Sequence, residues 1–132
     1  MHLVDTNVLS ELMRARPDAR VVAWTEAQSR ILLSVITLEE IHFGLALKPS
    51  ARVEAWLEKF EKSWCEILPV TAQIARRAGT MRAALREDGQ TRSQADMLIA
   101  ATAWEHRLPL ATRNTGDFAG CGIRVVNPFA MR

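Results

Sequence analysis

The sequence predicts an α/β protein with a mostly parallel sheet of about five strands and helices on both faces. Short apolar segments alternate along the chain with amphipathic segments of helical spacing, which is typical of a parallel sheet with right-handed crossovers. The segment 31–36 is almost continuously apolar and rich in β-branched residues, as expected of a strand buried on both faces. No linker or repeat divides the chain, so we expect a single domain over residues 1–132.

The composition fits a folded protein that works in water. Apolar residues make up 48% of the chain, which is enough for a core and too much for a disordered chain. No apolar run approaches the roughly 20 residues that a membrane-spanning helix needs, and Asp5 and Glu11 interrupt the first apolar segment. We therefore expect a cytoplasmic protein without a membrane partner. Cys65 and Cys121 fit no metal-ligand spacing and are expected to be reduced.

The first elements are a strand and two helices. Leu3 and Val4 form a strand that stops at Asp5, and residues 8–13 then have helical spacing. A second helix is predicted over 17–29, starting at the proline or at the aspartate that follows it.

The middle of the chain repeats this alternation. The strand 31–36 runs into Thr37, which with Glu40 has the spacing of a capping box and so predicts a helix from Thr37 to about residue 48. Its inward residues are expected to be Ile41, Leu45 and Phe43. An amphipathic helix at 53–64 and a strand at 66–70 follow.

The last third begins with a long helix that opens at Thr71 and ends at Gly89, with its arginines off the apolar stripe. Ser93 and Asp96 form a second capping-box signature before a helix at 97–106 that is apolar nearly all round and should be buried. The last two strands are predicted at 108–112 and 123–126.

Four acids follow strands or open helices in this arrangement. Asp5 ends the first strand, Glu40 lies in the helix after the second, and Asp117 lies in the loop after the fourth. The carboxyl ends of parallel strands face one edge of the sheet, so these three acids are expected to share that edge. Asp96 opens the buried helix, but no clear strand immediately precedes it.

Helix caps and turns explain each acid, taken alone, at least as well as a functional site does. The two roles are compatible, because a helix N-terminus favours the ionised carboxylate that a metal needs. Clustered carboxylates repel one another, and a bound cation relieves that repulsion. Oxygen ligands select hard ions such as Mg²⁺ or Mn²⁺. The sequence thus predicts a divalent-metal site as an alternative to simple caps.

The chain resembles a known family, the PIN-domain ribonucleases, and in particular the VapC-type toxins of toxin–antitoxin pairs. The resembling segments recur in the family's order and span essentially the whole chain, with the first and third the most specific when found together. They are the segments 3–12, 34–41, 95–103, 111–118 and 126–129.

The resemblance implies site residues and a fold that agrees with the one argued above, a three-layer α/β/α arrangement. It implies metal ligation by Asp5 and Asp96, with Glu40 completing the acidic site directly or through water. Asp117 is implied as a more variable fourth acid, and either it or Asn114 in the same loop faces the metal. Hydroxyl support is implied from Thr6 and Thr112.

The resemblance also implies Mg²⁺-dependent cleavage of RNA, a homodimer, and a cognate antitoxin that occupies the active-site groove, in some cases within a larger assembly. Arg113 lies beside the site and is a candidate for contact with RNA phosphates. Glu11 recurs in the family, although a solvated helix charge explains it equally well. The alternatives are an RNA-binding module that lost the chemistry, and a DNA nuclease or phosphatase with the same metal.

Overall fold

A computed structural model describes residues 1–130 and contains a five-stranded sheet with the strand order β3-β2-β1-β4-β5. All four neighbouring pairs of strands are parallel. The strands are β1 (His2–Val4), β2 (Ile31–Ser34), β3 (Cys65–Leu68), β4 (Leu110–Ala111) and β5 (Val125–Val126). Because the order reverses on either side of β1, the carboxyl end of β1 lies at the topological switch point, where α/β sheets form ligand clefts.

Six α-helices connect these strands. They are α1 (Thr6–Leu12), α2 (Ala19–Glu26), α3 (Val35–Leu47), α4 (Ala51–Ser63), α5 (Ala72–Glu87) and α6 (Gln94–Glu105). Two short 3-10 helices, Thr115–Phe118 and Pro128–Ala130, follow β4 and β5. Within residues 1–130, no helix is long and apolar enough to span a membrane.

Alternate residues of each strand enter two different cores. Leu3, Leu32 and Leu110 pack with α5 and α6, whereas their neighbours Val4 and Ala111 pack with α1 to α4 on the opposite face. Helices therefore cover both faces of the sheet, as predicted, and α6 is buried along most of its length. Cys65 and Cys121 are both free.

The N-terminus of α3 differs from the prediction. The strand ends at Ser34 instead of residue 36, and the Ser34 hydroxyl accepts a hydrogen bond from the Ile36 amide as the helix cap. The predicted capping box was wrong, because Thr37 lies fully buried inside the helix and Glu40 lies one turn beyond its start. The apolar, β-branched residues 35–36 suit a strand, but they form the first turn of α3.

Two smaller expectations were also wrong. Phe43 is 61% exposed instead of facing inward, since the buried face of α3 is set by Thr37 and Ile41. Strands β4 and β5 each retain two residues of the predicted four or five, because only those residues pair with a neighbour. The caps predicted at Thr71 and Ser93 are confirmed, and Gly89 follows α5 with a φ of +80°.

Candidate active site

A cleft of about 600 Å³ opens at the carboxyl edge of the sheet, beside the end of β1. Three of the four predicted acids line it: Asp5 directly after β1, Glu40 from α3 and Asp96 from the first turn of α6. Its other lining residues are Thr6, Asn7, Ser10, Glu11, Arg14, Arg113 and Asn114. The topology therefore brings together carboxylates that are far apart in sequence.

Asp5 is held rigidly at the base of this cleft. Its side chain is 5% exposed, and Oδ1 accepts a hydrogen bond of 2.8 Å from the Thr6 amide as the cap of α1. Oδ2 accepts a hydrogen bond from the Thr112 hydroxyl over 2.7 Å and another from the side-chain nitrogen of Asn7 over 3.1 Å. Burial nevertheless raises the pKa of Asp5, and the charge of Glu40 raises it further against the lowering effect of these bonds.

Thr112 and Asn7 lock this arrangement together. The buried Thr112 oxygen accepts from the Asn114 amide over 3.0 Å and from the Asn7 side chain over 3.3 Å, so its own hydrogen is directed to Asp5. The Asn7 side-chain oxygen accepts a 3.0 Å bond from the Arg113 amide. The segment after β4 is thereby fastened to the first turn of α1.

Glu40 is oriented by a threonine of α1. The Thr6 hydroxyl donates to Glu40 Oε1 over 2.7 Å, and the Thr37 hydroxyl oxygen lies 3.3 Å from the same Thr6 oxygen. Thr6 thus connects two acids, since its amide binds Asp5 and its hydroxyl binds Glu40.

Burial and neighbouring negative charge both act on Asp96. Its backbone amide is capped by the Ser93 hydroxyl over 3.0 Å, which fixes the start of α6. Partial burial raises the pKa of Asp96 most, and the charge of Asp5 and then that of Asp117 raise it further. Arg92 opposes this shift only weakly, because its effect comes last among the causes.

The two remaining candidate residues, Asn114 and Asp117, both lie in the loop after β4 but at different distances from the cleft. Asn114 lines the cleft, whereas Asp117 does not and lies in the 3-10 helix 115–118. The Arg92 guanidinium donates to the carbonyls of Asp117 and Ala119, which ties this loop to the segment before α6. Asp117 is therefore outside the cleft, and its charge makes a small contribution to the raised pKa of Asp96.

The donor set of the cleft fits a hard divalent cation. All three acids offer carboxylate oxygens, the ligands that hard cations prefer. Burial, and after it the charge of neighbouring carboxylates, raises the pKa of Asp5 and of Asp96, so ionising both acids together is costly. Within residues 1–130, no three His, Cys, Asp or Glu side chains are grouped tightly enough to form a finished metal site as they stand. A cation held by these acids would therefore need the side chains to shift or water to complete its coordination.

Comparison with models of protein families matches residues 2–120 to the PIN domain. The chain belongs to the PIN-domain family. This PIN domain is 35% identical to the VapC ribonuclease Y4jK of Sinorhizobium fredii, over 98% of both chains. Its fold matches the crystal structure of FitAcB from Neisseria gonorrhoeae with a TM-score of 0.85 and 34% identity, over 99% of this chain and 100% of the other.

A solved toxin–antitoxin complex from Klebsiella pneumoniae is also similar to this PIN domain. The TM-score is 0.77 and the identity is 30%, over 97% of this chain and 98% of the other. The family resemblance drawn from the sequence is therefore confirmed, and so is the three-layer fold.

Sequence reasoning missed Asn7, which contacts Asp5, Thr112 and Arg113 at the centre of the network. The sequence feature that could have identified Asn7 as a site residue is its position two residues after Asp5, at the turn into α1. Of the two alternatives left open for Glu11, the solvated helix charge was wrong, because Glu11 is 7% exposed and lines the cleft.

Proposed function

We propose that this PIN domain, as a single unit over residues 1–132, is a Mg²⁺-dependent endoribonuclease that hydrolyses RNA phosphodiester bonds. One observation carries the proposal: Asp5, Glu40 and Asp96 come from three separate elements and line one cleft. The similarity to a VapC ribonuclease supports RNA as the substrate. We assign catalytic roles to these three acids and to Asp117.

The cofactor is proposed to be Mg²⁺, with Mn²⁺ able to replace it. Asp5 and Asp96 hold the ion, and Glu40 completes the site directly or through water. When bound, such a cation acidifies water and offsets negative charge on a phosphate oxygen during in-line displacement. Asn114, which lines the cleft, and Asp117, which adds charge beside Asp96, then tune the affinity for the cation.

The chain's own residues prepare this chemistry by fixing the acids before substrate arrives. Thr112 and Thr6 hold Asp5 and Glu40 through hydroxyl bonds of 2.7 Å each, so little reorganisation is needed in the reaction. Arg113 lines the same cleft and contacts an RNA phosphate, which draws the polyanion towards an otherwise acidic site.

The biological role that we propose is the toxin of a toxin–antitoxin pair, acting on translation and growth in the cytoplasm. The similar complex from Klebsiella pneumoniae supports a cognate antitoxin protein as partner, which occupies the cleft. A homodimer, alone or within a larger assembly, is supported by Phe43 and Leu47, which are 61% and 72% exposed and lie four residues apart on α3.

The test is a cleavage assay with purified protein, Mg²⁺ and single-stranded RNA. We expect Asp5→Asn and Glu40→Gln to abolish cleavage while circular dichroism shows an intact fold. The matched control is Glu39→Gln, which removes an exposed carboxylate next to Glu40 but outside the cleft and should cleave normally. Wild-type cleavage by Asp5→Asn would refute the mechanism.

Two alternatives are separated by further measurements on the same proteins. Calorimetric titration with Mn²⁺ distinguishes the nuclease from a binding module of the same fold, since a pure binder need show no metal binding that depends on the acids. A panel of RNA, single-stranded DNA and a simple phosphate ester distinguishes it from a DNA nuclease or a phosphatase.

A further inference from the structure

Arg113 pairs with no carboxylate of residues 1–130, although four acids line the same cleft: Asp5, Glu11, Glu40 and Asp96. Within residues 1–130 it forms no ion pair, and its guanidinium carbon lies 4.4 Å from the centroid of the Phe129 ring. Phe129 is 6% exposed, so it provides a fixed platform. An aromatic face uses none of the guanidinium hydrogen-bond donors, and these stay available to an anion.

A second arginine reaches the cleft from the other end of α1. Arg14 Nη1 lies 3.2 Å from Glu11 Oε1, while the Arg14 side chain remains 68% exposed. Glu11 is buried, and its other oxygen accepts a 2.9 Å bond from the Asp18 amide. Glu11 therefore anchors Arg14 through one nitrogen and leaves its remaining donors exposed.

The two arginines are fastened at opposite ends of the same helix. The Arg113 backbone is bonded to Asn7 in the first turn of α1, whereas Arg14 follows the last residue of that helix by two positions. With a helical rise of 1.5 Å per residue, their attachment points are roughly 10 Å apart along the helix axis. The acid Asp5 caps the first of these two ends.

We propose that Arg14 and Arg113 bind two different phosphates of one RNA strand that lies along α1, so that Arg14 provides a second backbone contact, remote from the acids, in addition to Arg113. Arg113 contacts the backbone close to the acids, and Arg14 contacts it further along the strand. Glu11 acts as a positioning residue for Arg14. This inference rests on the ribonuclease activity proposed above.

The salt dependence of RNA binding tests the inference. We measure binding of a fluorescent single-stranded RNA to the metal-free protein, with a chelator present to prevent cleavage, across a range of salt concentrations. Each of Arg14→Gln and Arg113→Gln should reduce the slope of log K against log salt by roughly 0.7, and the double variant by about twice that. In the presence of Mg²⁺, kcat/KM on the same RNA should fall about tenfold for each variant.

Two control variants test whether RNA binding depends on the charge at positions 14 and 113 or on the surface charge of the protein in general. Arg107→Gln removes an exposed arginine that precedes β4 and therefore lies at the opposite edge of the sheet, and it should leave the slope unchanged. Arg14→Lys keeps the charge and should retain the wild-type slope.

Slopes equal to wild type in both glutamine variants, with normal thermal unfolding, would overturn the inference while the nuclease proposal stands. A wild-type protein that cleaves no RNA would instead refute the nuclease proposal. An equal loss of slope in Arg107→Gln would also count against the inference, because it would mean that general surface charge binds the strand.

Discussion

The Thr112 hydroxyl donates a 2.7 Å hydrogen bond to Asp5 Oδ2 and so joins the ends of β4 and β1 across 107 positions of sequence. Two amides donate to the Thr112 oxygen, which leaves its hydrogen for the carboxylate. Asp5 is thereby fixed in one orientation by a residue that does not itself line the cleft. In the metal site proposed above, such support would determine how well Asp5 holds the ion.

Thr112→Val should therefore weaken metal binding and RNA cleavage by roughly 10–100-fold, the usual effect of losing an outer hydrogen bond to a metal ligand. The substitution preserves the shape of the side chain, but it leaves Asp5 and two amides without their hydroxyl partner. Calorimetric titration with Mn²⁺ and a cleavage assay measure the two effects. Thr112→Ser restores the hydroxyl and should recover most of both activities. If the valine and serine variants were equally active, the hydroxyl would have no role in the site.

The pH dependence of stability should reveal the cost of ionising Asp96, which burial and the charge of Asp5 impose. Because the pKa of Asp96 is raised in the folded protein, folding favours the protonated carboxyl. The stability gained in this way is present at low pH and is lost as the pH rises through the folded pKa. Without metal, Asp96→Asn should consequently be more stable than wild type at neutral pH. This advantage should shrink as the pH falls towards the ordinary value of 3.8.

Urea denaturation with a chelator, repeated between pH 4 and pH 7.5, measures this difference in the free energy of unfolding. The same measurement with Mn²⁺ in place of the chelator is the control, since only a protein that binds the ion is stabilised by it. Wild type should then gain stability and Asp96→Asn should gain little. A variant that is less stable than wild type at every pH would show that Asp96 has a structural role instead.

Gly122 should tolerate no side chain, because it packs directly on Trp104. Its φ is +72°, and an added Cβ would lie 2.5 Å from Trp104 Cζ3. Gly122→Ala combines a strained backbone with overpacking and should lower the free energy of unfolding by about 2 kcal/mol or more. Urea denaturation measures this change directly.

Gly79→Ala is the matched control for that substitution. Gly79 lies inside α5, and an added Cβ meets no atom within 4 Å. Alanine should stabilise the helix there by roughly 0.5–1 kcal/mol. Equal effects of the two substitutions would mean that the contact with Trp104 is not what requires a glycine at position 122.

The sequence by itself determined the layers of the fold and the position of the first acid. Apolar segments separated by amphipathic ones are sufficient to predict a parallel sheet with helices on both faces, since such strands must be covered on each side. Asp5 directly follows a strand at the N-terminus, so its place at the carboxyl edge follows from local sequence alone.

The tertiary structure decided which polar residues meet, because side-chain contacts between distant segments leave no local pattern. Ser34 caps α3 in place of Thr37, and Thr37 is buried inside the helix near Thr6. From the sequence Glu11 could have been a solvated helix charge, yet it is buried and accepts a hydrogen bond from the Asp18 amide in the segment after α1. Only the contact of Thr37 with Thr6 joins distant segments, but in all three cases the packing of the folded chain decided which polar group was used.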